Sequence, residues 1–255
     1  MSHGDGPGGS AGTETDARIV YYGAAPIAIE VERGSEPAVR IIRRVLRDGY
    51  DLVVKEAELK EGGKGFRAVD MDLLRKCPSP VFLSRPIARH REEIKVAVAV
   101  DPEGVAPEGQ ALSRSLLEVA RSYADTCSGE LHVVGCWDYP LESSLRHNPW
   151  IAVTPQEVEG YVRAACSRSD SALTQLIGES KIGGKVTVHH LRGSPDKVIP
   201  QYLEEQSIDV LIMGTVGRTG IPGFIIGNTA ENVVQRLGCS LLALKPKGFV
   251  SPIKG

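Results

Sequence analysis

From Lys95 to Leu244 the chain alternates short runs that are apolar at nearly every position with longer stretches of helical periodicity. Lys95–Val100 reads KVAVAV and ends in Asp101-Pro102, after which Leu112, Leu116, Val119, Ala120 and Tyr123 recur on one helix face. A second strand is expected over Glu130–Cys136. After a long loop, Thr154-Pro155-Gln156-Glu157 has the form of a helix start: threonine as N-cap, proline first, glutamate third. That helix should reach about Gly178. Lys185–Leu191 reads as a third strand, and Ser194-Pro195-Asp196 opens a helix through Leu203 that Pro200 should bend. Asp209–Met213 is a fourth strand, Thr229–Leu237 a fourth helix and Ser240–Leu244 the last strand. Strands apolar throughout, rather than at alternate positions, belong in a parallel sheet covered on both faces.

The expected fold class is therefore α/β: a Rossmann-like parallel sheet, order 3-2-1-4-5, with helices on both faces. Ligands in such sheets bind beyond the C-terminal strand ends where strand order reverses. That crevice lies between the first and fourth strands, with Asp101 and Gly214 facing each other across it.

An incomplete copy of the same unit precedes it. Glu32-Arg33-Gly34-Ser35-Glu36-Pro37 is similar to Leu191-Arg192-Gly193-Ser194-Pro195, and Asp51–Lys55 parallels Asp209–Met213. Asp72–Val81 parallels the fourth helix and last strand; aligning Ser79 with Cys239 sets Pro86 opposite Pro246 without a gap. The copy holds equivalents of strands three, four and five only, with Arg18–Tyr22 available as one extra strand. The expected division is a disordered tail at 1–16, an incomplete first copy at 17–91, a complete second copy at 92–250 and a tail at 251–255. The first copy is then a remnant packed on the second, a unit completed by another chain, or part of a shortened gene product.

The chemistry concentrates in one loop. Gly214-Thr215-Val216-Gly217 closes the fourth strand; nine residues later, Gly227-Asn228-Thr229 opens the fourth helix. Glycines at a strand end and a helix start let backbone N–H groups approach an anion with no Cβ in the way. The alternative is ordinary turn glycine, as Gly220-Ile221-Pro222-Gly223 is read. No Lys-Ser or Lys-Thr follows, so this is not a P-loop, and the spacing is not the dinucleotide fingerprint. In the first copy Glu56 stands where Gly214 stands and Arg67 where Gly227 stands, so that cradle is lost.

A net charge of −2 and a pI near 6.3 argue against nucleic-acid binding by bulk electrostatics. No apolar run approaches the roughly 20 residues of a membrane span. Cys77, Cys127, Cys136, Cys166 and Cys239 are odd in number and never form Cys-x-x-Cys, as in a reducing, cytoplasmic compartment. Adjacent His189 and His190 would point to opposite faces of a strand, and no metal ligands are expected. Arg40, Arg43, Arg44 and Arg47 make a basic helix run, read as a solvated face or as a docking site for an acidic partner or nucleic acid.

The stretch GTVGRTGIPGFIIGNTAENVVQRLGCSLLALKP, together with DMDLLRKCPSPV, resembles the universal stress protein family in its tandem form. The family's ATP pattern is Gly-x2-Gly-x9-Gly-Ser/Thr; Gly214, Gly217 and Gly227 fill the glycine positions, while Asn228 replaces the usual hydroxyl residue and Thr229 follows. Asn228 is expected to cap the helix and contact a phosphate. The resemblance implies Asp101 near the adenosine moiety, the alternative being a structural cap on the loop after its strand, and backbone near Cys136 at the adenine. Gly217, Asn228 and Thr229 would lie on the phosphates, with a Mg2+ ion held by the phosphates themselves. Thr215 lies in the same loop, and Arg218 either reaches a phosphate or is solvated. The family also implies a homodimer, and its pairing of last strands predicts Val81–Leu83 against Leu241–Leu244 within this chain.

Three functions follow as expectations. The first is an ATP-binding stress-response protein that acts by binding and signalling to a protein partner, at most a slow ATPase, since no general base or P-loop lysine stands near the cradle. The second is a scaffolding module with a vestigial loop. The third, a related adenylyl-transferring enzyme, would need His-x-Gly-His or a Ser-Gly-Gly loop at the first strand, and Val100-Asp101-Pro102-Glu103-Gly104 has neither.

Overall fold

The computed structural model describes residues 15–22, 25–58, 60–104, 106–148, 150, 152–215 and 226–254. Strands β1 (Thr15–Tyr22) and β2 (Ala25–Glu32) pair antiparallel in a sheet of their own. The strand expected at Arg18–Tyr22 therefore forms a hairpin instead of joining the main sheet. It also begins two residues inside the expected 1–16 tail; residues 1–14 lie outside those described.

Next come α1 (Pro37–Asp48), β3 (Val53–Glu56), α2 (Ala68–Lys76) and β4 (Val81–Ser84). The complete unit follows: β5 (Lys95–Val100), α3 (Pro107–Cys127), β6 (Glu130–Trp137), α4 (Glu142–His147), α5 (Pro155–Ser180), β7 (Val186–Arg192), α6 (Pro195–Glu205), β8 (Val210–Gly214), α7 (Asn228–Val234) and β9 (Ser240–Leu244). The long loop before α5 thus holds a short helix, α4, whose Glu142 binds Arg146 and Arg192. Thr154 and Glu157 form the reciprocal capping box the sequence predicts. Pro200 does not end α6. The Asp196 carbonyl that loses its donor to this proline accepts instead from Arg236 Nη1 at 3.0 Å.

One seven-stranded sheet runs β3-β4-β9-β8-β5-β6-β7. Within the complete unit this is the order 3-2-1-4-5. Neighbouring strands are parallel except β4 and β9, which pair antiparallel with Val81 opposite Ala243, Phe82 opposite Leu242 and Leu83 opposite Leu241. The two copies are thus joined edge to edge, as expected of these strands, and each covers an edge the other would expose.

Successive residues of a strand point to opposite faces, and here both faces are apolar. Val96, Val98 and Ile212 pack with Leu117, Ala120 and Leu173 of α3 and α5. Ala97 and Leu211 pack on the other side with Leu203, Val233 and Leu237, and with Ile42, Leu73 and Leu83 of the first copy. The strand β7 departs from the pattern because it is an edge: Thr187 and Val188 are exposed. The first copy lacks equivalents of α3 and α5, which leaves Val54 of β3 62% exposed.

His189, which the sequence gives no partner, meets His132 of β6 and Tyr202 of α6. His132 Nδ1 lies 3.2 Å from His189 Nε2 and 2.8 Å from the Tyr202 hydroxyl. Burial holds both imidazoles below their ordinary range, and the neighbouring His132 lowers His189 further. Protonated His132 would be a buried cation facing Lys95 and Lys185, with only Glu130 at 3.7 Å in compensation. Because the unfolded chain binds these protons more readily, stability is complete above about pH 6.5 and falls as pH drops towards the folded values. Each pH unit in that window should remove up to about 1.4 kcal/mol for His132. Denaturant midpoints at pH 7 and pH 5 measure it; a His132→Gln protein with the same pH slope would overturn it. Among the described residues no group of three His, Cys, Asp or Glu side chains can hold a metal ion.

Candidate functional site

The site is set by strand register. Ala99 pairs with Met213 and Val100 with Gly135, so Asp101, Thr215 and Cys136 come level at the C-terminal ends of three adjacent strands, β5, β8 and β6. This is where strand order reverses, and Asp101 lies level with Thr215, one residue beyond the Gly214 that the sequence sets opposite it. Asp101 begins a turn in which its carbonyl accepts from the Gly104 N–H, and Ser113 of α3 donates to the same oxygen, both at 3.5 Å. Its carboxylate faces Cys136. Burial first, then that negative charge, pushes the Cys136 thiol up to about 12, so it is a neutral wall group.

Thr215 is fully buried and organises the loop's root. Its N–H donates to the Leu244 carbonyl at 3.1 Å, and its own carbonyl accepts from the Gly227 N–H at 2.9 Å. The two ends of the loop are therefore tied together at the switch point. Gly227, not Asn228, is the N-cap of α7, with φ −74° and ψ 145°. Asn228 is instead the first helical residue, so its side chain does not cap; extended backbone at Gly227 starts the helix one residue earlier than the sequence suggests. The first intrahelical bond runs from the Glu231 N–H to the Gly227 carbonyl at 2.8 Å, which leaves the N–H groups of Asn228 and Thr229 ahead of it, at exposed positions. Gly217 and Arg218 lie outside the described residues.

Gly214 also meets a packing requirement that its spacing does not suggest. A Cβ there would sit 2.8 Å from Leu112 Cδ2 of α3. Its lack of a side chain lets α3 seat closely on β8.

Sequence reading missed the residues that fix this loop from behind. Lys245 Nζ donates to Thr215 Oγ1 at 3.1 Å and to the Leu74 carbonyl of α2 at 2.6 Å, and lies 4.4 Å from the Phe249 ring centroid. Burial lowers its pKa to about 8. Arg75 of α2 pairs with Glu231 in the first turn of α7. A signal for Lys245 was present: the alignment that sets Ser79 on Cys239 also sets Arg85 on Lys245. Arg85 is likewise a buried cation held by carbonyls, those of Gly63 at 2.6 Å, Gly65 at 2.5 Å and Leu237 at 3.4 Å.

Residues 95–245, the complete unit, match the model of the universal stress protein family. The chain belongs to this family, among its tandem members. Universal stress protein E of Escherichia coli K12 is 32% identical over 242 residues, covering 93% of this chain and 74% of that protein. The universal stress protein E homolog of Haemophilus influenzae is 33% identical over 216 residues, 83% of this chain and 67% of that one. Among solved structures, a universal stress protein of Pseudomonas aeruginosa UCBPP-PA14 superposes with a TM-score of 0.65 at 26% identity, over 84% of this chain and 69% of its own. This universal stress protein builds a mostly parallel central sheet flanked by helices. No helix among its described residues is long and apolar enough to cross a membrane.

Proposed function

We propose that this universal stress protein binds ATP at the end of the β5–β8 crevice and acts in stress response through the bound state rather than through catalysis. One observation carries the reading: Thr215 ties Gly227 to the strand ends at the level of Asp101 and Cys136. Backbone N–H groups at the start of α7 thereby come to the sheet's switch point, where an anion is favoured. In this reading the adenosine lies towards Asp101 and Cys136, and the phosphates lie on Gly217, Asn228 and Thr229 with Mg2+ carried by the phosphates. Any homodimer uses a surface other than the last strand, since β4 already occupies the edge of β9.

The test is a thermal or denaturant titration of the full chain with ATP and Mg2+. A dissociation constant at or below about 100 µM should raise stability by more than about 1 kcal/mol at millimolar ATP. No shift, together with no binding in equilibrium dialysis, would leave the second reading, a scaffold with a vestigial loop.

A further inference from the structure

Helix α2 of the first copy ends with an unusual need. The Leu74 carbonyl would ordinarily accept from the N–H four residues on, but that residue is Pro78, which has none. The Lys245 ammonium fills the gap at 2.6 Å, at a helix C-terminus where the backbone dipole favours a cation. The same ammonium holds Thr215 Oγ1, and the Thr215 carbonyl holds the Gly227 N–H. No carboxylate among the described residues pairs with Lys245, so its half-buried charge is held by neutral oxygens in two different copies and by the Phe249 ring. A second link runs in parallel from Arg75 of α2 to Glu231 of α7.

The connection is reciprocal. Arg85, at the position matching Lys245, reaches from the end of β4 to the Leu237 carbonyl just beyond α7 and to the carbonyls of Gly63 and Gly65. The first copy's loop, which has lost its cradle, lies directly on α7: the Gly65 N–H donates to the Leu237 carbonyl at 2.8 Å.

We propose that Lys245 is a positioning residue through which the first copy holds the second copy's loop in its binding geometry, so that ligand binding and docking of α2 are coupled. The incomplete copy is on this view a built-in effector of the complete one. The proposal rests on the ATP reading only for its ligand arm. Coupling of this kind is mutual: whatever steadies Thr215 and Gly227 at the loop's roots must also tighten α2.

Hydrogen exchange on the full chain separates the two claims. Without ligand, Lys245→Met and the near-isosteric Thr215→Val should each speed exchange at the Gly227 and Glu231 amides by about 10-fold. Lys245→Arg, which keeps the charge, should restore most of the protection. With ATP and Mg2+, the wild type should show slower exchange in 68–77, away from the site. Lys245→Met should lose that response and bind ATP about 10-fold more weakly. Unchanged exchange at Gly227 and Glu231 in both Lys245→Met and Thr215→Val would overturn the coupling whether or not ATP binds. Absence of ATP binding by the wild type, with the ligand-free arm as expected, would overturn the ATP reading and leave the coupling standing.

Discussion

Gly65→Val is expected to destabilise the protein more than the same exchange three residues earlier at Gly62. Both glycines have left-handed backbone, φ +77° and φ +84°, where a β-branched residue is strained. They differ in what a side chain would meet. A Cβ on Gly62 has nothing within 4 Å, whereas one on Gly65 would lie 2.6 Å from the Gln235 carbonyl oxygen at the end of α7. That neighbour is backbone and cannot rotate away. Gly62→Val should therefore cost about 1–2 kcal/mol from strain alone. Gly65→Val should cost about 3 kcal/mol or more, once overpacking is added. For a chain of this size that corresponds to a fall of roughly 6–12 °C in unfolding midpoint. Equal midpoints for the two variants would show that the close approach of the first copy's loop to α7 is not a constraint on the fold.

Gly217→Val should have the largest effect on function. In the ATP reading its N–H lies on a phosphate, and a valine Cβ and its methyls would stand where the anion approaches. Loss of that approach should weaken ATP binding by at least about 100-fold, or roughly 3 kcal/mol. The ligand-free midpoint should be unaffected, because Thr215, Gly227 and Lys245 hold the two roots of the loop. Calorimetric titration with ATP and Mg2+ measures the first part and thermal unfolding the second. Wild-type affinity in this variant would remove the cradle from the description of the site.

These expectations draw unequally on sequence and structure. The apolar strands were legible because burial on both faces leaves a local mark: Val96 and Val98 face α3 and α5 while Ala97 and Ala99 face the other layer, so no position from Val96 to Val100 is polar. The edge strand β7 blurred that mark, since Thr187 and Val188 face solvent. The capping box at Thr154 and Glu157 was legible for the same reason, its two partners being three residues apart. Gly227 as N-cap was not. Whether a helix starts at a glycine or at the asparagine after it depends on backbone angles set by the Thr215 carbonyl.

Sequence alone determined the alternation of strand and helix, the replacement of two cradle glycines by Glu56 and Arg67 in the first copy and the position of the surviving loop after β8. Each of these is written in the periodicity or spacing of neighbours. Only the tertiary structure decided what that loop rests on. Lys245 and Leu74 are 171 residues apart, and His132 and His189 are 57 apart. Such pairs leave no period in the chain, because a half-buried ammonium, an orphaned carbonyl and an imidazole acquire their partners only when the sheet and its helices bring distant segments into contact. The glycine loop can be found by reading along the chain; the first copy's hold on it exists only where β4 lies against β9.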